Sequence, residues 1–482
     1  MWLRVCVAFG IGLGLILIGQ RLRESDPQFG RVLSGGGIGV WFITGFAAYQ
    51  LFELVPAIAA FAFMAAVTTL AFTLSVRQNA VPLALIGVLG GLGTPFLLRT
   101  AERGPAGAVV FLSFVVGGAM AIYVSRGWRP LLWTTVPGGW AAMVACLFQY
   151  RPDDPGNASP ETASVARAVL QAGATYLWLV FAVVPMWRET VAVRSPAKWP
   201  RDGAIKDTSD LQLLATIAPV VALLMTVAVW ELEKEMSGWI AGGGALAYTG
   251  VVLRARRADI FDGFLSSHIQ AAIVLWTLFI SLAFEGDTLM IGLASEAAVL
   301  HIIGSRSSRR SMSIWGHGIF LMIGFMTLTR IMGNVDGTPF LNRLALADLW
   351  VLIAGVTATF WMDRPGHRFA YRYPAHVLLL FLVVREFRHV TNGQGFVSAI
   401  WGTYAAGLIV AGLKQRIPKL RTVGLITLFV VIAKLIFIDL SEVKAIWRVL
   451  LFLGFGGGLL WLSYFFHNMS DREHGAGTDP ER

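Results

Sequence analysis

The chain has 482 residues, of which 56% are hydrophobic and only 14% charged, with a formal net charge of +10. So few polar residues cannot coat a soluble protein of this size, and the bilayer is the solvent that such a composition implies. Apolar runs of about 17 to 25 residues match membrane-crossing helices and exclude the roughly ten-residue alternating strands of a barrel.

In chain order the apolar segments fall at 2–20, 32–50, 55–76, 81–98, 106–124, 130–150, 165–187, 210–230, 237–253, 264–284, 287–304, 311–329, 344–362, 372–386, 396–413, 421–438 and 447–465. The predicted fold is all-α: a polytopic bundle of about 17 transmembrane helices, with one membrane domain over 1–468 and a disordered tail at 469–482. No gap between segments is long enough for a folded soluble domain. The longest, around 151–164 and 188–210, read as linkers rich in Pro, Asp and Arg.

Lys and Arg divide unevenly between the two faces that these segments define. The gaps after odd-numbered helices, with the tail, hold 26 of the 39 basic residues; the other face holds 12, and Lys434 lies within a helix. By the positive-inside rule the richer face is cytoplasmic, which places the N-terminus outside and the C-terminus inside. The richest gaps are 188–206 with five and 414–421 with four, beside the compact clusters Arg254, Arg256, Arg257 and Arg306, Arg309, Arg310. Basic residues scattered through short turns are what topology requires, and they argue against a nucleic-acid partner. The membrane implied is one whose richer face meets the cytoplasm.

Glycines concentrate inside the spans, at 35–39, 87–93, 242–244 and 454–458. Small residues at helical spacing let backbones approach closely in lipid, so these runs read first as packing interfaces. The run Gly90, Gly91, Gly93, Thr94, Pro95 is also a candidate helix break, because Pro95 removes a backbone donor after a glycine-weakened turn. The two cysteines, Cys6 and Cys146, read as small buried hydrophobes and cannot hold a metal by themselves.

The stretch 30–100 contains Phe46-Ala47-Ala48-Tyr49, Val76-Arg77-Gln78-Asn79 and Leu89-Gly90-Gly91-Leu92-Gly93-Thr94-Pro95-Phe96-Leu97-Leu98. Near the other end stand Lys434-Leu435-Ile436-Phe437-Ile438-Asp439-Leu440 and Arg448-Val449-Leu450-Leu451-Phe452-Leu453-Gly454. In order and at both ends, these residues resemble the bacterial membrane family known as domain of unknown function 2339. The resemblance implies a near full-length polytopic membrane protein and brings no activity with it. Members of that family typically begin with a polar or coiled-coil segment and one further span, so the resemblance implies a bacterial cytoplasmic (inner) membrane protein and either a short variant lacking both or a start placed late.

Charges within the spans are the remaining clue. Glu296 falls near the middle of its helix, where an ionised carboxylate must face protein or water. Lys434 stands near the outer end of its helix and can snorkel outward. Asp439 follows five residues later, about 140° around the helix, so partners from other helices are expected for both. Lys434, Asp439 and Arg448 form a candidate outer clamp. The sharper expectation is a polar pathway flanked by Glu296 and Lys434, with Arg448, Arg385 and Glu386 around its outer mouth. His268, His301 and His317 fall toward the cytoplasmic ends of their helices. They read as hydrogen-bonded interfacial histidines, with a proton route to Glu296 as the alternative.

No motif for catalysis, cofactor binding or metal binding stands out, so no catalytic residue, cofactor or metal ligand is named. The readings that survive are a transporter or flippase for an ion, a lipid or an envelope precursor, a membrane-embedded glycosyl or acyl transferase acting on a lipid-linked substrate, and a non-catalytic scaffold. The transferase would require carboxylates or His at an outer cavity, for which Asp439, Glu386 and His389 could serve. The expected partners are the bilayer itself and, for the first reading, the transported species.

Overall fold

A computed structural model describes residues 1–98, 104–150, 160–194, 209–256, 262–307, 310–333, 337–362 and 364–439, with five more between 453 and 460. Among them every regular element is helical. The helices are α1 (Trp2–Arg21), α2 (Pro27–Phe46), α3 (Ala57–Gln78), α4 (Val81–Leu97), α5 (Ala106–Arg126), α6 (Arg129–Gln149), α7 (Pro160–Arg194) and α8 (Ser209–Trp230). Then follow α9 (Lys234–Ala255), α10 (Asp262–Ala283), α11 (Gly286–Ser307), α12 (Arg310–Ile331), α13 (Arg343–Ala358), α14 (Pro365–Phe387), α15 (Gly393–Lys414) and α16 (Pro418–Lys434). Each coincides with one of the first sixteen expected segments. The seventeenth, at 447–465, falls largely outside the described residues, as do Arg448 and the tail at 469–482.

Thirteen of these helices are long and apolar enough to cross a membrane, and α4 is a shorter apolar one. Large apolar side chains point outward along them, among them Leu3 at 76% exposed, Ile58 at 75% and Leu321 at 79%. Water would penalise such a surface heavily, whereas acyl chains match it.

Local chemistry sets the helix ends. Asp26 Oδ1 accepts the Phe29 amide at 3.0 Å and Asn342 Oδ1 accepts the Ala345 amide at 2.7 Å, each capping a helix start. Proline occupies the first turn of α2, α4, α6, α14 and α16, where its missing N–H costs nothing. Asn79 ends α3 in the left-handed region at φ 50°. Three arginines finish that cap. Arg126, Arg23 and Arg31 donate to the carbonyls of Val76, Arg77 and Gln78 at 2.8, 3.0 and 3.2 Å. The Val76-Arg77-Gln78-Asn79 motif is thus a helix C-terminus whose open carbonyls and negative dipole end are met by guanidinium groups from elsewhere in the fold.

The chain divides into two compact units, Met1–Leu293 and Ala294–Arg482. In the first unit, Ile38, Met64, Leu83, Val115, Leu131 and Phe181 belong to one continuous core. Its α1–α2 pair packs backbone to backbone. A Cβ on Gly19 would lie 2.6 Å from the Gly30 carbonyl oxygen, and one on Gly30 would lie 2.7 Å from that of Gly19. Gly37 meets the Gly12 carbonyl oxygen in the same way at 2.6 Å. The seven-residue spacing on both helices puts these glycines on facing stripes. In the second unit, Gly424 lies against the Ala405 carbonyl and Ile409 where α15 and α16 cross.

The expected break at Gly90–Pro95 is corrected. Helix α4 runs through Gly90, Gly91, Gly93, Thr94 and Pro95 and ends at Leu97. Thr94 Oγ1 donates to the Gly90 carbonyl at 2.8 Å, and proline so close to the helix end disturbs only the last turn. Gly90 and Gly91 serve packing instead: Cβ atoms there would meet Phe42 at 2.5 Å and Val115 at 2.9 Å. Both cysteines are free thiols, with Cys146 buried as expected and Cys6 exposed.

Candidate functional site

Helix α14 carries polar side chains in two groups, His367, Tyr371 and His376 in its N-terminal half and Arg385 and Glu386 at its C-terminal end, with the apolar stretch 377–384 between them. From His367 to Glu386 is nineteen residues, roughly 28 Å of helix, close to the roughly 30 Å of a hydrocarbon core. All of these groups meet partners within the second unit.

At its C-terminal end α14 closes an ion network. Arg385 Nη1 donates to Asp348 Oδ2 on α13 at 2.6 Å, while Nε and Nη2 reach Glu386 Oε1 at 3.1 and 2.8 Å. Arg330, at the end of α12, brings Nε to 3.3 Å from Asp348 Oδ1. Glu386 Oε2 accepts from Asn342 Nδ2 at 2.6 Å and from the Phe340 amide at 3.1 Å. The side chains of Arg385, Asp348 and Glu386 are 0% exposed. Two guanidinium groups and two carboxylates balance in charge, which is the condition for keeping ions out of water. The network also pins the 337–342 segment, where Phe340 sits in the left-handed region at φ 62°.

Near the other end of α14 an aromatic and imidazole cluster gathers α11, α12 and α14. The Tyr371 hydroxyl lies 2.7 Å from His317 Nδ1 and 3.3 Å from His301 Nε2. The His301 and His317 rings are 4.6 Å apart, and His317 and His367 are 4.7 Å apart. Space for this comes from Gly316, where a Cβ would meet His301 at 2.9 Å and the Ala297 carbonyl at 3.1 Å. Midway along α14, His376 Nδ1 lies 3.0 Å from the Tyr404 hydroxyl on α15, and its Nε2 lies 3.1 Å from Thr427 Oγ1 on α16. Both imidazole nitrogens are therefore engaged, one toward each helix.

The other expected residues are placed separately. Glu296 is half-buried on α11, beside Ser295, whose hydroxyl accepts from Trp350 Nε1 on α13 at 3.0 Å. Lys434 is buried and donates to Ser398 Oγ at 2.8 Å and to the Gln394 carbonyl at 3.1 Å, which ties α16 to the first turns of α15. Arg385 and Glu386 thus come together, with partners that were not anticipated. The Asp439 side chain and Arg448, needed for the expected clamp, lie outside the described residues. His389 is exposed just beyond α14. His268 belongs to the first unit, where Nδ1 meets the Phe264 carbonyl at 2.8 Å and the ring stacks on Phe264 at 3.9 Å.

Sequence reading missed Asp348, Arg330, Asn342, His367 and Tyr371. Asp348 had a signal, as a lone carboxylate inside the apolar segment 344–362. The first unit holds a second ionic cluster that was not anticipated. Arg188 pairs with Glu189 at 3.0 Å, lies over the Tyr123 ring at 5.3 Å, and donates through Nε to the Val124 carbonyl. Gly127 leaves room for it, since a Cβ there would fall on the guanidinium. Nearby in the sequence, Arg129 pairs with Asp210 of α8 at 3.1 Å. Among the described residues no group of three His, Cys, Asp or Glu is placed to hold a metal ion.

Apolar helices long enough to cross a bilayer, with large apolar side chains on their outer surfaces, define a polytopic α-helical membrane protein. The chain belongs to the family described as predicted membrane protein (DUF2339), which matches residues 1–393 and 313–469. No curated protein and no solved structure matches it.

Proposed function

We propose that this protein moves an ion, a lipid or an envelope precursor across a bacterial cytoplasmic membrane, and that α14 lines the route. The observation that carries this reading is that α14 places polar groups toward both faces of the membrane, His367, Tyr371 and His376 toward one and Arg385 and Glu386 at the other, over a length that matches the membrane core. Ionisable residues inside spans are costly, and proteins that keep them generally use them for substrate or ion passage. On the orientation implied by the basic residues, the Arg385 network closes the outer end of the route and the Tyr371 cluster lies toward the cytoplasm. Glu296 stands between these levels on α11.

A lipid-linked transferase is less well supported by the same geometry. Both oxygens of Glu386 are already held by Arg385, Asn342 and the Phe340 amide, so this carboxylate is not presented as an acid or base.

Single cysteines at Tyr371, Ala375, Leu378 and Leu382, treated with membrane-impermeant thiol reagents from each side in turn, test the route. Transport predicts labelling of successive positions from one side or the other, and protection when a substrate is supplied. Four unreactive positions would leave α14 as the core of a sealed scaffold.

A further inference from the structure

The N-terminal part of α14 carries a basic stripe that the proposed route does not use. Arg364 precedes the helix, and Arg368 and Arg372 follow at steps of four residues. Each step turns about 40° around the axis, so the three guanidinium groups share one flank that rises roughly 12 Å along the helix. All three are exposed. Two are held in place by their inner nitrogens: Arg368 Nε donates to the Met362 carbonyl at 2.6 Å, and Arg372 Nε donates to Thr359 Oγ1 at 2.9 Å. Among the described residues none of the three forms an ion pair with a carboxylate.

Aromatic rings surround the stripe. The Arg372 guanidinium lies 5.5 Å from the centre of the Phe360 ring, and Phe369 packs on Tyr373 at 3.8 Å. Phe360 is 69% and Phe369 53% exposed. Rings at this density beside cations mark the interface between headgroups and acyl chains. That interface is only about 5 to 7.5 Å deep on each side, so a stripe of about 12 Å that starts at its outer edge carries Arg372 to the acyl boundary, where a guanidinium needs a counter-charge.

We propose that Arg364, Arg368 and Arg372 form a binding site for the headgroup of an anionic phospholipid, with Phe360 and Phe369 set between its acyl chains. Three cations with no carboxylate partner among the described residues supply the charge, and the exposed rings supply the lipid contact that a free anion or an acidic protein would not use. The basic-residue count places this flank on the cytoplasmic leaflet, where anionic lipids give the surface its negative potential. The proposal is independent of the transport reading and stands whether or not α14 lines a route.

Native mass spectrometry of the purified full chain, titrated with phosphatidylglycerol or with phosphatidylcholine of the same acyl chains, tests it. The wild-type chain is expected to hold phosphatidylglycerol about tenfold more tightly or better, since each basic residue near an anionic surface contributes about fivefold. R364Q/R368Q/R372Q brings the two lipids within about twofold, whereas R364K/R368K/R372K retains most of the preference. Arg364→Gln alone touches no side-chain partner and lowers the preference by several-fold, which decides the matter if the triple variant does not fold. An unchanged preference in the Gln variants overturns the site. Complete displacement of phosphatidylglycerol by millimolar inorganic phosphate overturns the lipid as its ligand.

Discussion

Arg385 Nη1 and Asp348 Oδ2 meet at 2.6 Å with both side chains fully buried, joining α14 to α13 through a charged contact that acyl chains and water are both kept from. Such a pair gains little over a well-packed apolar one, but losing one partner strands a charge. Asp348→Ala and Arg385→Ala should each destabilise the protein by about 3–5 kcal/mol, read as a lower thermal midpoint in detergent. The double change R385M/E386Q, which removes one charge of each sign and leaves Arg330 to balance Asp348, should cost markedly less than Arg385→Ala. A single alanine variant as stable as wild type would remove the network from the fold's supports.

The glycine contacts between α1 and α2 predict a position-specific effect. Gly30→Ala drives a methyl toward the Gly19 carbonyl and should cost about 1–3 kcal/mol, whereas Gly14→Ala meets nothing within 4 Å and should be neutral or slightly stabilising. Fluorescence-detected gel filtration after graded heating would separate the two. Equal losses would mean that α1 and α2 do not cross at Gly19 and Gly30.

Tyr371→Phe removes one oxygen from between His301 and His317 and nothing else. Loss of these hydrogen bonds should lower stability by about 1–3 kcal/mol while the helices stay in place. Under the transport reading the variant should also complement a deletion strain poorly at an expression level equal to wild type. Full complementation would confine Tyr371 to packing.

Glu296→Gln keeps the shape of the side chain and removes its charge. The protein should fold and insert normally yet fail to restore the deletion phenotype, as expected for a carboxylate held within a span for use. Complementation indistinguishable from wild type would sink the polar route on α11.

Orientation has its own measurement. A cysteine at Gly337 should react with an impermeant reagent added to whole spheroplasts, and one at Arg256 only after the membrane is opened. The reverse pattern would invert the topology.

The helices themselves were largely legible in the sequence, because in lipid every backbone polar group must be satisfied within its own segment and the length of an apolar run therefore announces a helix. Glycine spacing announced tight crossings for the same reason, and Gly37, Gly87, Gly91 and Gly242 do lie against neighbours while Gly36, Gly39 and Gly243 face open space. Which glycine faces in depends on the rotation of each helix, and mean hydropathy does not encode rotation. The unbroken α4 shows a related limit: Pro95 weakens a turn wherever it stands, but its place two residues from the helix end, with Thr94 bonded back to Gly90, makes the effect small.

Charges were legible as places of interest and illegible as contacts. Arg385 and Glu386 stood out as ions at the end of a span, and their union with Asp348, Arg330 and Asn342 did not, because residues on α12, α13 and α14 become neighbours only through interhelical packing. The sequence by itself determined that this is an all-helical membrane protein and where its apolar helices fall, since the length and hydropathy of a segment are one-dimensional quantities. Only the tertiary structure decided that Tyr371 sits between two histidines and that one arginine bridges two carboxylates, since a partner is chosen by the rotation and crossing of whole helices, which no single segment specifies.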